Sequence, residues 1–353
     1  MASIITNNAS MAALQTLRSI GGSLDQAQQQ VSTGLRVAKA SDDAAYWSIS
    51  TSMRSDKGAM EAVSDSMAMG KAVLDVTYNG MSEIRDELTT IRNLVITASS
   101  LPPPATNGYS NYFQYQPDAT YDQTQVGQVD AEIHQHWQQI NAIVESSSFS
   151  GVNLLKNDAT EPALPGSTTK FVAGYANGQV LTISIDNGDV VMMNANRSQD
   201  AMYGQPGSEN QGYLDGTYWG AAVTYPLTYV DTNGAVVANS NTYTLRNQEV
   251  AIANSGSDRK AYYQAFINQI DQRITGITSG MSVVGSTQKR LAIQDEFNNS
   301  MIDNVSKGVG RLVDADMEQS SAKLAALQTQ QQLAVQSLNI ANQSPNNIMT
   351  LFR

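Results

Sequence analysis

The chain of 353 residues contains no cysteine and only two histidines, His134 and His136. The missing cysteine excludes disulfides, zinc–thiolate sites and cysteine nucleophiles together. The histidines are two positions apart in a segment with a helical pattern, so they point to different faces and are poorly placed to share a metal ion. The sequence also lacks HExxH, GxSxG, Walker and dinucleotide motifs. We therefore expect no catalytic residue, no metal site, no cofactor and no enzymatic activity.

Charge is scarce as well, and positive charge most of all. Charged residues make up 15% of the chain, where about 25% is usual, and the net charge is −11. A nucleic-acid partner would need clustered Lys and Arg, so we expect none. No run of 18 apolar residues occurs, so we expect no membrane insertion. The N-terminal segment lacks the early positive charge and the apolar core of a cleaved signal peptide.

Aromatic residues are missing from both ends of the chain: the first is Tyr46, and none lies between Asn298 and Leu351. Aromatics usually anchor a self-sufficient core. Both ends instead carry small and medium-sized apolar residues at alternating steps of four and three, which predicts helices that pack on other helices. We predict a helix over 3–33 and a second one at the C-terminus. Their terminal seam contains Leu17, Ile20, Leu24, Val31, Leu324, Leu327, Ala334 and Leu338.

A longer seam of the same kind runs from Ile49 to Ala98, and the pattern returns after Asp258. A helix of about fifty residues that ends near Ser99 would be roughly 75 Å long. This length suits a rod or a bundle better than a globular domain. Polar residues interrupt the seams at Asp56 and Gln331, which either set the register or are simply exposed. The predicted bundle seam contains Met53, Met60, Met67, Leu74, Met81, Leu88, Val95, Ile270, Ile274 and Ile277.

Between these helices the sequence changes twice. Gly34 ends the first helix, and Ser41 with Asp42 and Asp43 predicts an N-cap and an acidic first turn for the next. Pro102, Pro103 and Pro104 end the long helix, 101–123 reads as an extended loop, and a shorter helix follows to about residue 147.

Residues 160–255 have a different composition. Asn177-Gly178, Asn187-Gly188 and Asn233-Gly234 are hairpin signals between β-branched runs. Seven of the fifteen tyrosines lie here, and the segment contains three Lys or Arg and eight Asp or Glu. We therefore predict a mainly α fold with an inserted β-rich domain. The long N- and C-terminal helices would pair in a coiled-coil bundle, with the β domain at its distal end.

Several motifs at both ends together resemble bacterial flagellin, the subunit of the flagellar filament. The resemblance covers about 1–156 and 258–353. It is carried by MASIITNNASMAAL at the start, VSTGLRVAKASDDAA at 31–45, LTTIRNLVITAS at 88–99, FSGVNLL at 149–155 and ANQSPNNIMTLFR at the C-terminus. The family loop motif matches at Gly34, Arg36, Asp42 and Asp43.

This resemblance implies a structural subunit that self-assembles into an extracellular filament for swimming. It implies that 1–46 with 310–353 form an inner tube, 47–156 with 258–309 a helical bundle domain, and 160–255 an outer, solvent-facing domain. The terminal parts would order on assembly. The implied partners are other copies of the chain, other flagellins, and the export chaperone, cap and junction proteins, with export through the flagellar type III apparatus and no cleaved signal. The alternatives are a hook–filament junction protein, which shares similar terminal helices, and another secreted coiled-coil scaffold.

Two segments resemble sites that immune receptors sense on flagellins. Residues 31–51 are similar to the segment sensed by plant receptors. However, they carry Tyr46 and Trp47, where the family commonly has Gly and a small or aliphatic residue. We expect two bulky aromatics at this position to weaken recognition.

The second segment is the helix patch contacted by the animal innate-immune flagellin receptor. Arg92, Leu94 and Glu132 match its pattern. In contrast, Thr90 stands where stimulatory flagellins carry a basic residue, and Asn93 replaces an acid. The resemblance therefore predicts weak or absent recognition by both receptors, with 88–99 still packing between subunits.

Overall fold

Long helices dominate the computed structural model of the chain. It describes residues 7–104, 120–157, 167–176, 178–194, 213–214, 227–230, 236–239, 245–246, 249, 252–253 and 258–351. The long helices are α1 (Asn8–Thr33), α2 (Ala44–Ser100), α3 (Gln125–Ser146), α4 (Arg259–Val313) and α5 (Met317–Leu351). The strands are β1 (Lys156–Asn157), β2 (Thr168–Ala176), β3 (Gln179–Asp186), β4 (Met193–Asn194), β5 (Leu227–Val230) and β6 (Val236–Asn239). The predicted mainly α fold with β structure in the middle is confirmed.

Capping residues lie at both ends of α1 and at the start of α2. They form hydrogen bonds with backbone groups that have no partner within the helix. Asn7 caps α1 by accepting a hydrogen bond from the Ser10 amide at 3.1 Å. Gly34 ends α1 with a φ of 71°, a left-handed conformation that favours glycine. Asp43 accepts from the amides of Ala45 and Tyr46 and so caps α2. The N-cap predicted at Ser41 is therefore wrong by two residues, because Asp43 is the residue whose carboxylate reaches the first-turn amides.

The contacts divide the chain into two compact units. We call Met1–Glu61 with Asn299–Arg353 the terminal unit, and Ala62–Asn298 the central unit. The three-part division inferred from the family resemblance stays a prediction.

The central unit has one contiguous apolar core to which α2, α3, α4, β2 and β3 contribute. Leu88, Val95, Ile140 and Val284 are fully buried in it. Gly70, which lies three residues after Met67 in the seam that runs from Ile49 to Ala98, lies where β2 packs on α2: a Cβ on it would be only 2.9 Å from Phe171 Cδ1. The seam glycine thus lets the hairpin lie directly on the helix.

The strands form three two-stranded sheets among the described residues. β2 and β3 are an antiparallel hairpin joined through Gly178, whose φ is 79°. β5 pairs antiparallel with β6, while β1 pairs parallel with β4. The hairpin predicted at Asn187-Gly188 is wrong: Asn187–Asp189 is a 3-10 turn, in which the Asp186 carboxylate accepts the Gly188 amide at 2.9 Å. Asn177 and the Asn233-Gly234 pair lie outside the described residues.

The terminal unit is built mainly from α1 and α5, which pack along each other. The segment after α1 is tied to the end of α4 by backbone hydrogen bonds, Arg36 N to Val313 O at 2.7 Å and Ala315 N to Gly34 O at 2.9 Å. Val37, Val309 and Val313 form a small apolar cluster beside this bridge. None of the described helices combines the length and the apolarity needed to cross a membrane.

Candidate assembly surfaces

The predicted terminal seam is only partly covered within one chain. Leu327 is buried, while the other seven seam residues are half-buried. Ala27, which lies between Leu24 and Val31 in the same seam, is the most buried residue of α1. A two-helix pair covers one side of each helix, so its seam residues remain in contact with solvent on the other.

Large apolar side chains on α1 and α5 face solvent. Met11 is 66% exposed, Leu333 58% and Ile340 71%. An open groove between the two helices is lined by Ala13, Thr16, Ile20, Gln330, Leu333, Ala334 and Ser337. Exposed large apolar side chains beside an open groove between two helices are typical of an interaction site.

The family loop residues have distinct structural tasks. Arg36 donates to the Leu312 carbonyl at 2.8 Å and stacks its guanidinium over the Tyr46 ring at 5.5 Å. Asp42 accepts from the Ala38 and Lys39 amides, both at 3.0 Å, so it closes the loop and does not extend the cap of α2. With Gly34 and Asp43 these side chains fix the turn between α1 and α2.

The predicted bundle seam becomes the central core over most of its length. Seven of its ten members are buried: Met67, Leu74, Met81, Leu88, Val95, Ile270 and Ile277. Ile274 in the central unit is half-buried, as are Met53 and Met60 in the terminal unit. The seam therefore gains full burial only where α2, α3 and α4 surround it.

The receptor-patch residues are split between surface and core contacts. Thr90 and Glu132 are exposed, whereas Leu94 is half-buried against the central core. Arg92 forms an ion pair with Asp271 across α2 and α4 at 3.0 Å. The structure thus leaves two of the four residues, Thr90 and Glu132, exposed in this chain.

The two histidines have separate partners, as their spacing predicts. His136 Nδ1 lies 2.6 Å from Glu87 Oε2, an ion pair between α3 and α2 when the ring is protonated. His134 hydrogen-bonds Gln138 at 3.0 Å, and partial burial lowers its pKa. No group of three or more residues suited to hold a metal ion occurs among the described residues.

A buried polar cluster that sequence reasoning missed joins α2, α3, α4 and the segment around 245–249. Arg259 is its centre: it pairs with Glu249 at 2.6 Å and donates to the carbonyls of Ala98, Ser99 and Leu101 at the end of α2. The Tyr263 hydroxyl donates to Glu249 at 2.6 Å. Burial alone would lower the pKa of Arg259, but the hydrogen bond and charge of Glu249 raise it overall. We call these residues, with Asp130 and Tyr121, the junction cluster.

Asp130 is the second acid of the junction cluster and is only 2% exposed. It accepts from the amides of Leu245 at 2.8 Å and Arg246 at 3.3 Å, and from the Tyr121 hydroxyl at 3.2 Å. Burial raises its pKa to about 6, although these hydrogen bonds pull the pKa down. One signal could have revealed it: Asp130 occupies an apolar position of α3, four residues after Val126 and three before Ile133.

The architecture itself defines a class of protein. Long terminal helices carry incompletely covered seams, and the buried polar residues of the junction cluster hold helix ends together. These features describe a structural subunit that associates through its helices.

Comparison with known proteins identifies the family. Residues 4–101 match the bacterial flagellin N-terminal helical region, and 267–352 match the C-terminal helical region. Flagellin C of Rhizobium meliloti (strain 1021) is 35% identical over 358 residues, and flagellin B of Rhizobium meliloti 33% over 420. The flagellin of Brucella melitensis is 30% identical, and all three alignments cover both chains completely. The chain belongs to the bacterial flagellins and is a structural subunit of the flagellar filament, which lies outside the cell.

Proposed function

We propose that filament assembly by this subunit depends on completing the terminal seam with other copies of the chain. The observation that carries the proposal is the contrast in burial: Leu17, Leu324 and Leu338 are half-buried, whereas Leu74, Leu88 and Val95 are fully buried. An isolated helix pair buries too little apolar surface to offset the entropy of ordering two long segments. Neighbouring copies supply the missing surface, so residues 1–46 and 310–353 become an ordered inner tube in the filament.

The remaining parts of the subunit would form the outer layers. Residues 47–156 with 258–309 are the helical bundle domain, and 160–255 are the outer domain that meets solvent. The acidic composition of 160–255 supports this placement, because it keeps the outer surface soluble and unattractive to nucleic acid. Rotation of the filament then provides thrust for swimming, with no enzymatic step in the subunit.

We propose a limited set of partners. They are further copies of the chain, other flagellins where a cell makes more than one, the flagellar export chaperone, and the cap and junction proteins. Export is through the flagellar type III apparatus.

Recognition by plant and animal flagellin receptors is proposed to be weak or absent. Arg36 and Tyr46 are stacked, so the aromatic pair at 46–47 changes both the shape and the accessible charge of the plant-sensed segment. On the animal-sensed patch Thr90 offers no positive charge, and Arg92 is engaged by Asp271. Reporter cells for each receptor, titrated with monomer, should respond far less than to a stimulatory flagellin; equal potency would contradict this.

Seeded polymerisation tests the assembly proposal. Purified full-length chain, added to sheared filament seeds, should elongate them, as seen by electron microscopy. A chain lacking 1–33, and separately one lacking 317–353, should retain helical circular dichroism and cooperative unfolding of the central unit but should not elongate seeds. Filaments from either truncated chain would refute the role given to the terminal seam.

A further inference from the structure

The central unit has a second seam on α2 that its own core does not use. Asp65, Met69, Ala72, Val76, Asn79 and Glu83 follow each other at steps of four, three, four, three and four. We call this set the outer α2 face. Steps of this kind place side chains on one stripe of a helix and are the pattern of helix-on-helix packing. None of its members is buried, and Met69 is 56% exposed.

Helix α4 carries a matching stripe. Ser286, Arg290, Ile293 and Phe297 follow at steps of four, three and four, and we call them the outer α4 face. Ile293 is 56% exposed and Phe297 57%, although both are large apolar side chains. Covering two large apolar residues one turn apart would remove their surface from water, which is favourable. Such an exposed pair therefore suits an interaction site.

The charged residues of the outer α2 face and of the outer α4 face are opposite in sign. Within the residues the structure describes, Arg290 forms no ion pair, and neither does its neighbour Lys289. The same is true of Glu83 and Asp65 on the outer α2 face. Within the faces themselves the charged members are therefore of one sign each, Asp65 and Glu83 on the outer α2 face and Arg290 on the outer α4 face, while exposed Lys71 and Glu296 lie beside them.

The helix directions allow one face to meet the other in register. Within the chain α2 and α4 run antiparallel, since Gln288 hydrogen-bonds Asp75 and Arg92 pairs with Asp271. All copies in a helical filament point the same way, so α4 of one copy also runs antiparallel to α2 of its neighbour. Placing Arg290 opposite Glu83 brings Phe297, about 10 Å further along α4, opposite Val76 and Ala72, about 10 to 16 Å back along α2.

We propose that the outer α4 face of one subunit packs against the outer α2 face of a second copy of this chain. The inference rests on the proposed function, because the partner is the neighbouring flagellin in the filament. Arg290 pairs with Glu83, and Phe297 packs against Val76 and Ala72. The two faces are different surfaces of one subunit, so the contact is heterologous and generates an open array and not a closed dimer.

Charge reversal with rescue tests the pairing. Arg290→Glu should raise the critical concentration for seeded growth about fivefold at low salt, since an exposed pair is changed from attraction to repulsion. Glu83→Arg should do the same. The chain with both substitutions should return to within about twofold of wild type, because the pair is restored with its signs exchanged.

The matched control is Lys260→Glu, which makes the same charge change at an exposed position in the first turn of α4. It should polymerise like wild type. Equal behaviour of Arg290→Glu and Lys260→Glu, or a doubly reversed chain no better than the single variants, would overturn the pairing. Failure of wild type itself to elongate seeds would instead count against the proposed function.

Crosslinking gives a second readout that does not depend on growth rate. The chain has no cysteine, so single cysteines introduce unique reactive sites. Filaments copolymerised from Arg290→Cys and Glu83→Cys chains should form covalent dimers with a short bis-maleimide crosslinker, because an Arg–Glu pair holds its Cα atoms further apart than a disulfide allows. A mixture of Lys260→Cys and Glu83→Cys should not. Absence of dimers in intact Arg290→Cys and Glu83→Cys copolymers, or equal yields from the two mixtures, would contradict the contact.

Discussion

The same sequence code produces two different outcomes in the terminal and the central unit. In both, apolar residues recur at steps of four and three. In the central unit α2 is surrounded by α3, α4 and the β2–β3 hairpin, so Leu74, Leu88 and Val95 are completely buried. In the terminal unit α1 and α5 have mainly each other, and Leu324 and Leu338 keep contact with solvent. An apolar seam therefore indicates that a helix packs against another element. The number of elements around the helix decides whether the seam residues are fully buried.

The largest expected difference between the units is the cost of removing a seam leucine. Leu88→Ala should lower the free energy of unfolding by about 3 to 4 kcal/mol, because it leaves a cavity in a closed core. Leu324→Ala should lower it by about 1 kcal/mol or less, because its site is already open to water. Urea unfolding of the monomers followed by circular dichroism measures both, and equal losses would mean that the terminal unit is as well packed as the central one.

The junction cluster gives the next largest effect and exists only in the central unit. Arg259→Ala should lower the free energy of unfolding by about 3 kcal/mol, because it leaves the buried Glu249 carboxylate without its positive partner and removes a donor from three carbonyls at the end of α2. Arg259→Lys should recover only part of this, since one ammonium cannot replace a guanidinium fork.

Arg85 provides the matched control for this substitution. It pairs with Asp86 at the surface, where the two side chains are 35% and 61% exposed. Arg85→Ala should cost about 0.5 kcal/mol or less by the same urea measurement. A similar cost for both arginines would show that the junction cluster adds no more than a surface pair.

The raised pKa of Asp130 should make the free energy of unfolding of the central unit depend on pH. Its pKa is about 6 in the folded chain against 3.8 for the free side chain, so the folded state holds the proton more firmly. The wild type should therefore lose about 2 to 3 kcal/mol relative to Asp130→Asn as the pH rises from 4 to 6, with no further change above pH 7.

Urea unfolding at several pH values measures that difference. Glu132→Gln removes an exposed carboxylate from the same helix and controls for the change in net charge. A wild-type curve parallel to that of Asp130→Asn throughout this range would show that Asp130 titrates alike in the folded and unfolded chains.

Sequence reasoning succeeded where a residue's role follows from its near neighbours. The periodicity around Leu88 and Val95, the helix end at Gly34 and the separate faces of His134 and His136 all depend on spacings of a few residues. The cap was misplaced by two residues because Ser41, Asp42 and Asp43 are all competent caps, and only the path of the loop selects Asp43.

What sequence reasoning missed depends on residues far apart in the chain. Arg259 donates hydrogen bonds to carbonyls about 160 positions earlier in the chain. Asp130 accepts hydrogen bonds from the amides of Leu245 and Arg246, which lie 115 and 116 positions later. Asn187-Gly188 has hairpin chemistry, yet the Asp186 side chain and the packing of Val190 and Met192 into the core favour a 3-10 turn. Local signals offered no way to choose between these outcomes.

The smallest effect is expected at the polar interruptions of the seams. Asp56 is exposed, which fits simple tolerance, whereas Gln331 is half-buried within the terminal unit. Gln331→Leu should change the unfolding free energy of the monomer by no more than about 0.5 kcal/mol, because the site stays partly open. In the filament the same position would be enclosed, and a polar group in an apolar seam restricts the registers in which helices can pack. Filaments of Gln331→Leu should therefore differ from wild type in curvature by electron microscopy, while Asp56→Ala filaments should not; identical filaments from all three chains would leave Gln331 with no role beyond solubility.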